Sequence, residues 1–242
     1  MLKTDLHVHS LASGHAYSTI LESAKFASDF GVETIAITDH GPSTCGGPQI
    51  GYFTNIGRLP RKIFGVNVLM GCEANVIDCD GNIDISNDVA TSLDIVLIGL
   101  HEHTPYPIKT SLKRNTESII KAMKKGVVHI VSHPYRPIFP VDIRDLVNAA
   151  NDFDVMLELN LSLLKVSGTD SSLIKQIDLM LEIVAGSGNK ITISSDAHIA
   201  TEIGDDSILQ NFGISVQNKL ILGAKNGYNE VIDFLKLEKK HE

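Results

Sequence analysis

The chain contains no tryptophan, and aromatic residues make up 5% of its 242 residues. Aromatic platforms on which successive bases of a single-stranded nucleic acid would stack are therefore not expected. Positive charge is also in deficit, since 21 Lys and Arg stand against 29 Asp and Glu, a formal net charge of −8. A basic footprint for long nucleic acid is missing, and the overall charge disfavours an anionic membrane surface. No apolar run approaches the ~18 residues of a membrane-spanning helix. The first residues lead straight into a strand, without the basic and apolar regions of a secretory leader. Cysteine is scarce as well: Cys45, Cys72 and Cys79 are odd in number and show no CxxC spacing. A disulfide framework is excluded on that reading, and a cytoplasmic location is expected. Cys72, inside an apolar run, reads as a buried small side chain. No linker rich in Pro, Gly or Ser divides the chain, so residues 1–242 read as one domain.

What is present is an alternation of two periodicities. Tyr17 to Phe30 is amphipathic, with Ile20, Leu21, Ala24, Ala27 and Phe30 at helical spacing, and Gly31 stops it before the β-branched run Val32 to Thr38. The unit recurs. Ser111 to Lys125 reads as a helix ended by Gly126 and followed by the strand Val127 to Ser132. Val141 to Asn151 precedes the strand Val155 to Asn160, and Ser171 to Ala185, stopped by Gly186 and Gly188, precedes Ile191 to Ser195. Repeated βα units imply a parallel sheet with helices outside. Seven strands are counted, which predicts an α/β architecture closed or nearly closed into a seven-stranded (β/α) barrel, with a doubly wound open sheet as the alternative. An Asp-Gly pair at 80–81 predicts a tight hairpin within Ala74 to Ser86. Thr44 to Gly51 reads as a loop on the substrate side, and Ile214 to Glu242 as a closing helical element with a charged tail from Lys236.

The strands share a feature at their carboxyl ends. DLHVH, AITDH, LMGCE, LIGLH, HIVSH, LELN and ISSDAH each finish in a side chain of metal-ligand type. If the strands are parallel, His7, His9, His40, Glu73, His101, His133, Asp196 and His198 meet at one mouth. His7 and His9, two apart on a strand, share a face roughly 6–7 Å apart. His15 in the next loop completes a three-imidazole set with His40 and His198. Glu73 and Asp196 sit in apolar runs, where an unpaired carboxylate is costly and a cation would satisfy it. For Glu73 that cation set would be two metals bridged by the carboxylate. Asp39 is placed to orient the neighbouring His40 ring, and Glu158 and Asn160 are placed for similar work or for capping the barrel mouth. His129 shares the parity of His133 but lies roughly 13 Å along the strand, deep or at the far end. His103 lies past the strand end of His101 and is held as a supporting or substrate group.

DLHVHS, ITDH, GCEAN, GLHEH, VSHPYRP and SSDAH together resemble the signature motifs of the PHP (polymerase and histidinol phosphatase) family over nearly the whole chain, and HAYST, ITDHGP and GCEANV most resemble its YcdX-like phosphatases. The resemblance implies a distorted seven-stranded (β/α) barrel and three divalent metals. His7, His9, Glu73 and Asp196 would hold one; Glu73, His101 and His133 a second; His15, His40 and His198 a third. It also implies zinc, with manganese or iron as alternatives. The chain departs from the YcdX-like pattern at Tyr135 and Arg136, where a Gly and an Asn are usual, which leaves the substrate less defined than the ligand set.

Three dications against two carboxylates give a positive site in an acidic protein, suited to a dianionic phosphate monoester. The expected reaction is hydrolysis of a small phosphorylated substrate, with a hydroxide bridging two metals as nucleophile and Arg136, with Arg61 as a second candidate, clamping the phosphate. Glu73 and Asp196 would hold the reacting centre. The alternatives are a phosphodiesterase or nuclease on short nucleotides, a non-catalytic zinc-binding protein, and a deaminase of the amidohydrolase type. The oligomeric state is left open, a homo-oligomer included.

Overall fold

Seven parallel strands follow one another around a nearly closed barrel. The computed structural model describes residues 1–167, 170–187, 191–211 and 228–235. The strands are β1 (Thr4–Val8), β2 (Thr34–Ile37), β3 (Lys62–Ile63), β4 (Val66–Asn75), β5 (Ile95–Gly99), β6 (Ile130–Val131), β7 (Met156–Asn160) and β8 (Ile191–Ser194). Their order is β1-β2-β4-β5-β6-β7-β8, and the two-residue β3 pairs antiparallel with the start of β4 as an outlier. The ring approaches closure where Val8 bridges Ala197 in parallel and the His9 amide donates to the Ala197 carbonyl at 2.9 Å. The expected barrel is thus the observed one, and the open sheet is ruled out.

The core has two parts. Leu6, Ala36, Leu69, Ile95, Leu97, Ile130 and Met156 point inward and fill the barrel. Leu235 of the last helix joins this cluster, so the expected closing element is helical over Tyr228–Leu235, while the rest of that stretch and the tail from Lys236 lie outside the described residues. The second cluster lies between strands and helices and takes the outward residues, such as Val8, Ile35, Val68, Val96 and Val131. Strands buried on both faces explain the near-continuous apolar runs of the sequence. The register of β1 and β2 slips between Asp5 and Val8. This bulge sets Leu6 into the inner cluster and still lets His7 and His9 face the barrel mouth, which strict alternation would forbid.

The helices are α1 (Ile20–Asp29), α2 (Ile50–Thr54), α3 (Asn87–Ser92), α4 (Leu112–Met123), α5 (Ile143–Asp152), α6 (Leu161–Ser167), α7 (Ser171–Ser187) and α8 (Tyr228–Leu235). Their starts are set by caps that the periodicity did not locate. Thr19 and Glu22 form a reciprocal capping box at α1, and Ser86, Ser111 and Asp142 cap α3, α4 and α5 through their side chains. The buried face of α1 is Ser23, Ala24 and Ala27. Leu21 and Phe30, expected on it, are exposed, and Phe30 stacks instead on Phe26 at 4.2 Å between centroids. Gly186, expected to stop α7, lies within it, and Gly188 is outside the described residues.

The expected Asp-Gly hairpin is a single antiparallel bridge between Val76 and Ile83. The turn within it belongs to Asp78, whose carboxylate accepts the amides of Asp80 (2.9 Å) and Asn82 (3.0 Å) and removes the need for a two-residue turn. Among the described residues no helix is long and apolar enough to cross a membrane. Replacing inward Leu97, which is fully buried, by alanine is expected to cost about 2–5 kcal/mol of unfolding free energy. Urea denaturation followed by circular dichroism measures this, and a loss below about 1 kcal/mol would show that the inner cluster is not tightly packed.

Candidate metal centre

The nine residues read as ligands converge at the end of the barrel where the strands finish, although most of them do not belong to strands. Glu73 is inside β4, but His9, His40, His101, His133, Asp196 and His198 follow the ends of β1, β2, β5, β6 and β8 by one to four positions. His133 and Asp196 take left-handed backbone angles, with φ of 30° and 55°. His and Asp are among the non-glycine residues that tolerate this region best, and its use here turns the chain sharply back toward the mouth. Gly99 keeps the ring of residues tight, because a Cβ there would lie 2.7 Å from both the His101 ring and Ser132 Oγ.

Glu73 is the hub. Its Oε1 lies 3.0 Å from His101 Nε2, 3.0 Å from His133 Nε2, and accepts from Ser132 Oγ at 2.7 Å. Its Oε2 lies 2.9 Å from His40 Nδ1, 3.3 Å from His7 Nε2 and 3.5 Å from His9 Nε2. Asp196 Oδ1 is 3.1 Å from His9 Nε2 and 3.5 Å from His7 Nε2. His15 stands at the rim with its ring centroid 5.0 Å from those of His40 and His198. The grouping differs in detail from the expected triads. His40 and His198 fall within one ligand sphere with His9, while His15 stands beside them, and His40 also falls with Glu73 and His101.

The surrounding hydrogen bonds assign the tautomers. His7 Nδ1 faces Glu158 Oε1 at 2.7 Å, an acceptor, so the ring proton sits on Nδ1. His9 Nδ1 faces Ser13 Oγ at 2.9 Å, and that hydroxyl donates its single proton to Asp39 Oδ1 at 2.7 Å, so it must accept from the ring. His101 Nδ1 donates to Asn75 Oδ1 at 2.7 Å, and His198 Nδ1 to the Asp196 carbonyl at 3.0 Å. In the neutral rings Nε2 therefore carries the lone pair, and at His7, where burial is outweighed by Glu158, Glu73 and Asp196 and the charged form is favoured, Nε2 is the atom a proton takes when no metal does. His7 Nε2 and His9 Nε2 lie 3.0 Å apart over a carboxylate, so a proton or a metal ion has to separate them. Glu73 Oε2 and His40 Nδ1 are buried with no oriented hydrogen-bond partner, although they lie 2.9 Å from each other. Only a cation reconciles so many inward acceptors, and imidazole with carboxylate and no thiolate fits zinc or manganese.

The electrostatics agree. Burial alone would raise the Glu73 carboxyl, but His7, His101 and His40 outweigh it and hold the group well below the ordinary carboxylate range. Asp196 is held down in the same way, with His7 and His9 outweighing burial. Burial pushes His9 down to about 3 and His101 down to about 4, in the neutral form a cation needs. Burial would also lower His7, yet Glu158, Glu73 and Asp196 together raise it well above its usual value. A proton is drawn to the place where the acceptors converge, as a metal would be.

Several supporting roles differ from the sequence reading. Asp39 does not orient His40. It is fully buried and accepts from the Ser10 amide and hydroxyl, from Ser13 Oγ, and from Tyr52 OH at 2.6 Å, so it acts on His9 through Ser13. Glu158 orients His7 and also accepts the His133 amide at 2.8 Å, and Asn160 donates to both Glu158 and Asp196. Ser13, Tyr52, Ser132 and Asn75 were not singled out, because small polar residues in a sequence carry no sign of which ring they will meet. Arg61 sits beside β3 and pairs with Asp94, which precedes β5, at the opposite end of the strands from the site. Arg136 lines the mouth and pairs with Glu102 at 3.3 Å. His103, with φ of 61°, and Thr44 and Cys45 of the expected substrate-side loop line the same cavity, whose volume is about 420 Å³. His129 is remote from it and accepts the Val96 amide on Nδ1 at 3.0 Å.

Glu158→Gln keeps the shape of the side chain but gives it an NH₂ group that must face either His7 Nδ1–H or the two donors His133 N–H and Asn160 Nδ2. We expect zinc affinity, read by competition with a chromogenic chelator, to fall about 10–100-fold. An unchanged affinity would show that Glu158 does not orient His7.

Comparisons with known proteins place this geometry. The PHP domain model matches residues 5–235. A protein of Clostridium novyi named a probable phosphatase is 35% identical over 238 residues, covering 98% of this chain and 95% of its own. One of Caldanaerobacter subterraneus subsp. tengcongensis with the same description is 38% identical over 229 residues, covering 92% and 87%. Among solved structures, the histidinol phosphate phosphatase of Lactococcus lactis, complexed with zinc, L-histidinol and phosphate, has a TM-score of 0.63 at 16% identity and covers 89% of this chain and 93% of its own. A chain of an archaeal ribonuclease P bound to mature tRNA has a TM-score of 0.59 at 14% identity, covering 98% and 94%. At such identities the two structures show a shared fold. On the match along its length and the identity to its curated relatives, the chain belongs to the PHP domain family.

Proposed function

We propose that this protein is a metal-dependent phosphatase that hydrolyses a small phosphate monoester at a trinuclear site. The observation that carries the reading is the convergence of imidazole lone pairs and two carboxylates, Glu73 and Asp196, at the base of a cavity of about 420 Å³. That volume falls within the range of sites for small molecules. Family membership and relatives described as probable phosphatases support the reaction class.

His7, His9, Glu73 and Asp196 would hold one ion, Glu73, His101 and His133 a second, and His15, His40 and His198 a third. Zinc is favoured, with manganese or iron as alternatives. Such ions supply Lewis acidity to phosphoryl oxygens and an acidified water near neutral pH. The chain's own residues do the rest. Glu158, Ser13 and Asn75 fix the imidazole protons on the side away from the cavity. The inner apolar cluster below the site excludes bulk water from one side. Arg136 at the mouth can exchange Glu102 for a phosphate oxygen, a stronger charge-assisted partner. The three cysteines are free, which fits a reducing, cytoplasmic location.

The test compares p-nitrophenyl phosphate with bis-p-nitrophenyl phosphate, using wild type, chelator-treated protein and Glu73→Ala. Chelation is expected to abolish turnover and zinc or manganese to restore it. Glu73→Ala is expected to lower kcat/KM at least about 100-fold together with bound metal. Arg136→Ala is expected to raise KM while leaving metal content unchanged. Equal or greater turnover of the bis-ester would replace the monoester reading with that of a phosphodiesterase. Bound metal with no turnover of any ester would leave a zinc-binding protein.

A further inference from the structure

Asp84 lies in no strand or helix, touches no imidazole and does not line the cavity, yet it is bonded three times to Asn75, the residue that accepts from His101 Nδ1. Its Oδ1 accepts the Asn75 amide at 2.8 Å, its Oδ2 accepts Asn75 Nδ2 at 2.5 Å, and its own amide donates to the Asn75 carbonyl at 3.1 Å. The Asn75 side chain is thereby oriented. Its Nδ2 faces two acceptors, Asp84 Oδ2 and the Gly41 carbonyl at 3.4 Å, while its Oδ1 faces two donors, Thr44 Oγ1 at 3.2 Å and His101 Nδ1 at 2.7 Å. A flipped amide would set acceptor against acceptor at Asp84 and Gly41 and donor against donor at His101. The same carboxylate also accepts the Ser43 amide at 2.8 Å and occupies the space that a Cβ on Gly41 would need. Ser43 leads into Thr44 and Cys45, which line the cavity.

We propose that Asp84 is a positioning residue that sets the tautomer of His101 through Asn75 and, with the same two oxygens, pins the 41–44 loop to the cavity edge. One side chain thus couples the readiness of an imidazole lone pair toward Glu73 to the position of the loop that borders the substrate. The coupling follows from the absence of protons on a carboxylate. Every group around Asp84 is a donor, so its identity as an anion orients them all.

Asp84→Asn puts an NH₂ group among donors in either orientation. It favours the flipped Asn75, whose NH₂ would then face His101 Nδ1 and drive the ring proton to Nε2. In metal-free protein with ¹⁵N-labelled histidine, two-bond ¹H–¹⁵N correlation should show the His101 signals, identified by their loss in His101→Gln, change from the Nδ1–H to the Nε2–H pattern. Zinc affinity should fall about 10–100-fold. In the double variant Asn75→Asp/Asp84→Asn the acceptor facing His101 is restored and the charge is only relocated. It should regain the Nδ1–H pattern and bind zinc more tightly than Asp84→Asn. An unaltered His101 pattern in Asp84→Asn, or a double variant no better than the single one, overturns the assignment. Should Asp84→Asn fail to fold, the double variant decides alone, since an Nε2–H ring there also overturns it. The zinc arm rests on the metal reading above, whereas the spectra do not. A wild type that takes up no zinc would sink that reading and leave the role of Asp84 to the tautomer.

Discussion

A carboxylate buried among imidazoles that present lone pairs to it is the constraint from which the rest of this structure follows. Glu73 is inaccessible, and both of its oxygens are approached by histidine nitrogens. Left alone, such an arrangement is repulsive, and the rings would turn to offer N–H groups. Three of the rings around Glu73 are held with Nδ1–H turned outward by a named acceptor, Glu158 for His7, Ser13 for His9 and Asn75 for His101, and His198 beside Asp196 is held likewise by the Asp196 carbonyl. The site is pre-organised for positive charge, and the organisation resides in the direction of hydrogen bonds one residue removed from the centre.

The barrel makes this directionality available. Strand ends lie close together around a ring, and the chain leaving them has a few residues of freedom before the next helix begins. The protein uses that freedom in costly conformations. His133 and Asp196 are left-handed, and a bulge in β1 breaks alternation so that Leu6 can fill the interior below while His7 and His9 face the mouth above. Strain of this kind persists where the surroundings over-determine it. Here the surroundings are apolar on the helix side, and on the mouth side Glu158 accepts the His133 amide and Asn160 donates to Asp196, holding the very residues that are strained.

How much of this a sequence discloses depends on whether the information is local. Periodicity and glycine stops locate the βα units, because burial on one face or two is written into each segment separately. Ligand-type residues at the ends of seven such units declare a common mouth once the strands are taken as parallel. The boundaries suffer where caps decide them, as at Thr19 and Ser111. The hairpin is where the Asp-Gly pair placed it, as an antiparallel bridge of Val76 with Ile83, but its turn is wider than two residues because the Asp78 carboxylate, three residues before Gly81, satisfies the turn amides. The donors to the Asp39 carboxylate were misassigned because adjacency in sequence favoured His40, whereas β1 and β2 lie side by side and bring Ser10 and Ser13 to it. Asp84, Ser13 and Tyr52 were invisible for the same reason: their meaning lies in side-chain bonds between separate segments, not in a spacing along one strand or helix.

The two arginines show why geometry had to choose between candidates that sequence ranked only weakly. Arg61 meets a nearly fully buried Asp94, whose Oδ2 also accepts the Met70 amide at 2.8 Å, so releasing it would strand a buried anion. Arg61 itself keeps 48% side-chain exposure, so its place at the far end of the strands, more than the strength of this pair, removes it from the site. Arg136 is held by two long contacts, 3.3 Å to Glu102 and 3.4 Å to the Leu100 carbonyl, and its side chain and that of Glu102 keep 26% and 38% exposure. A pair at that exposure contributes little, since water screens both ions. On the proposed function, Arg136 would lose little by turning to a phosphate dianion, and Glu102 would return to water. In a chain of net charge −8, affinity for an anion has to be concentrated where cations are fixed or lightly held. The mouth of this barrel, with an exchangeable guanidinium above a nest of lone pairs, is where that condition is met.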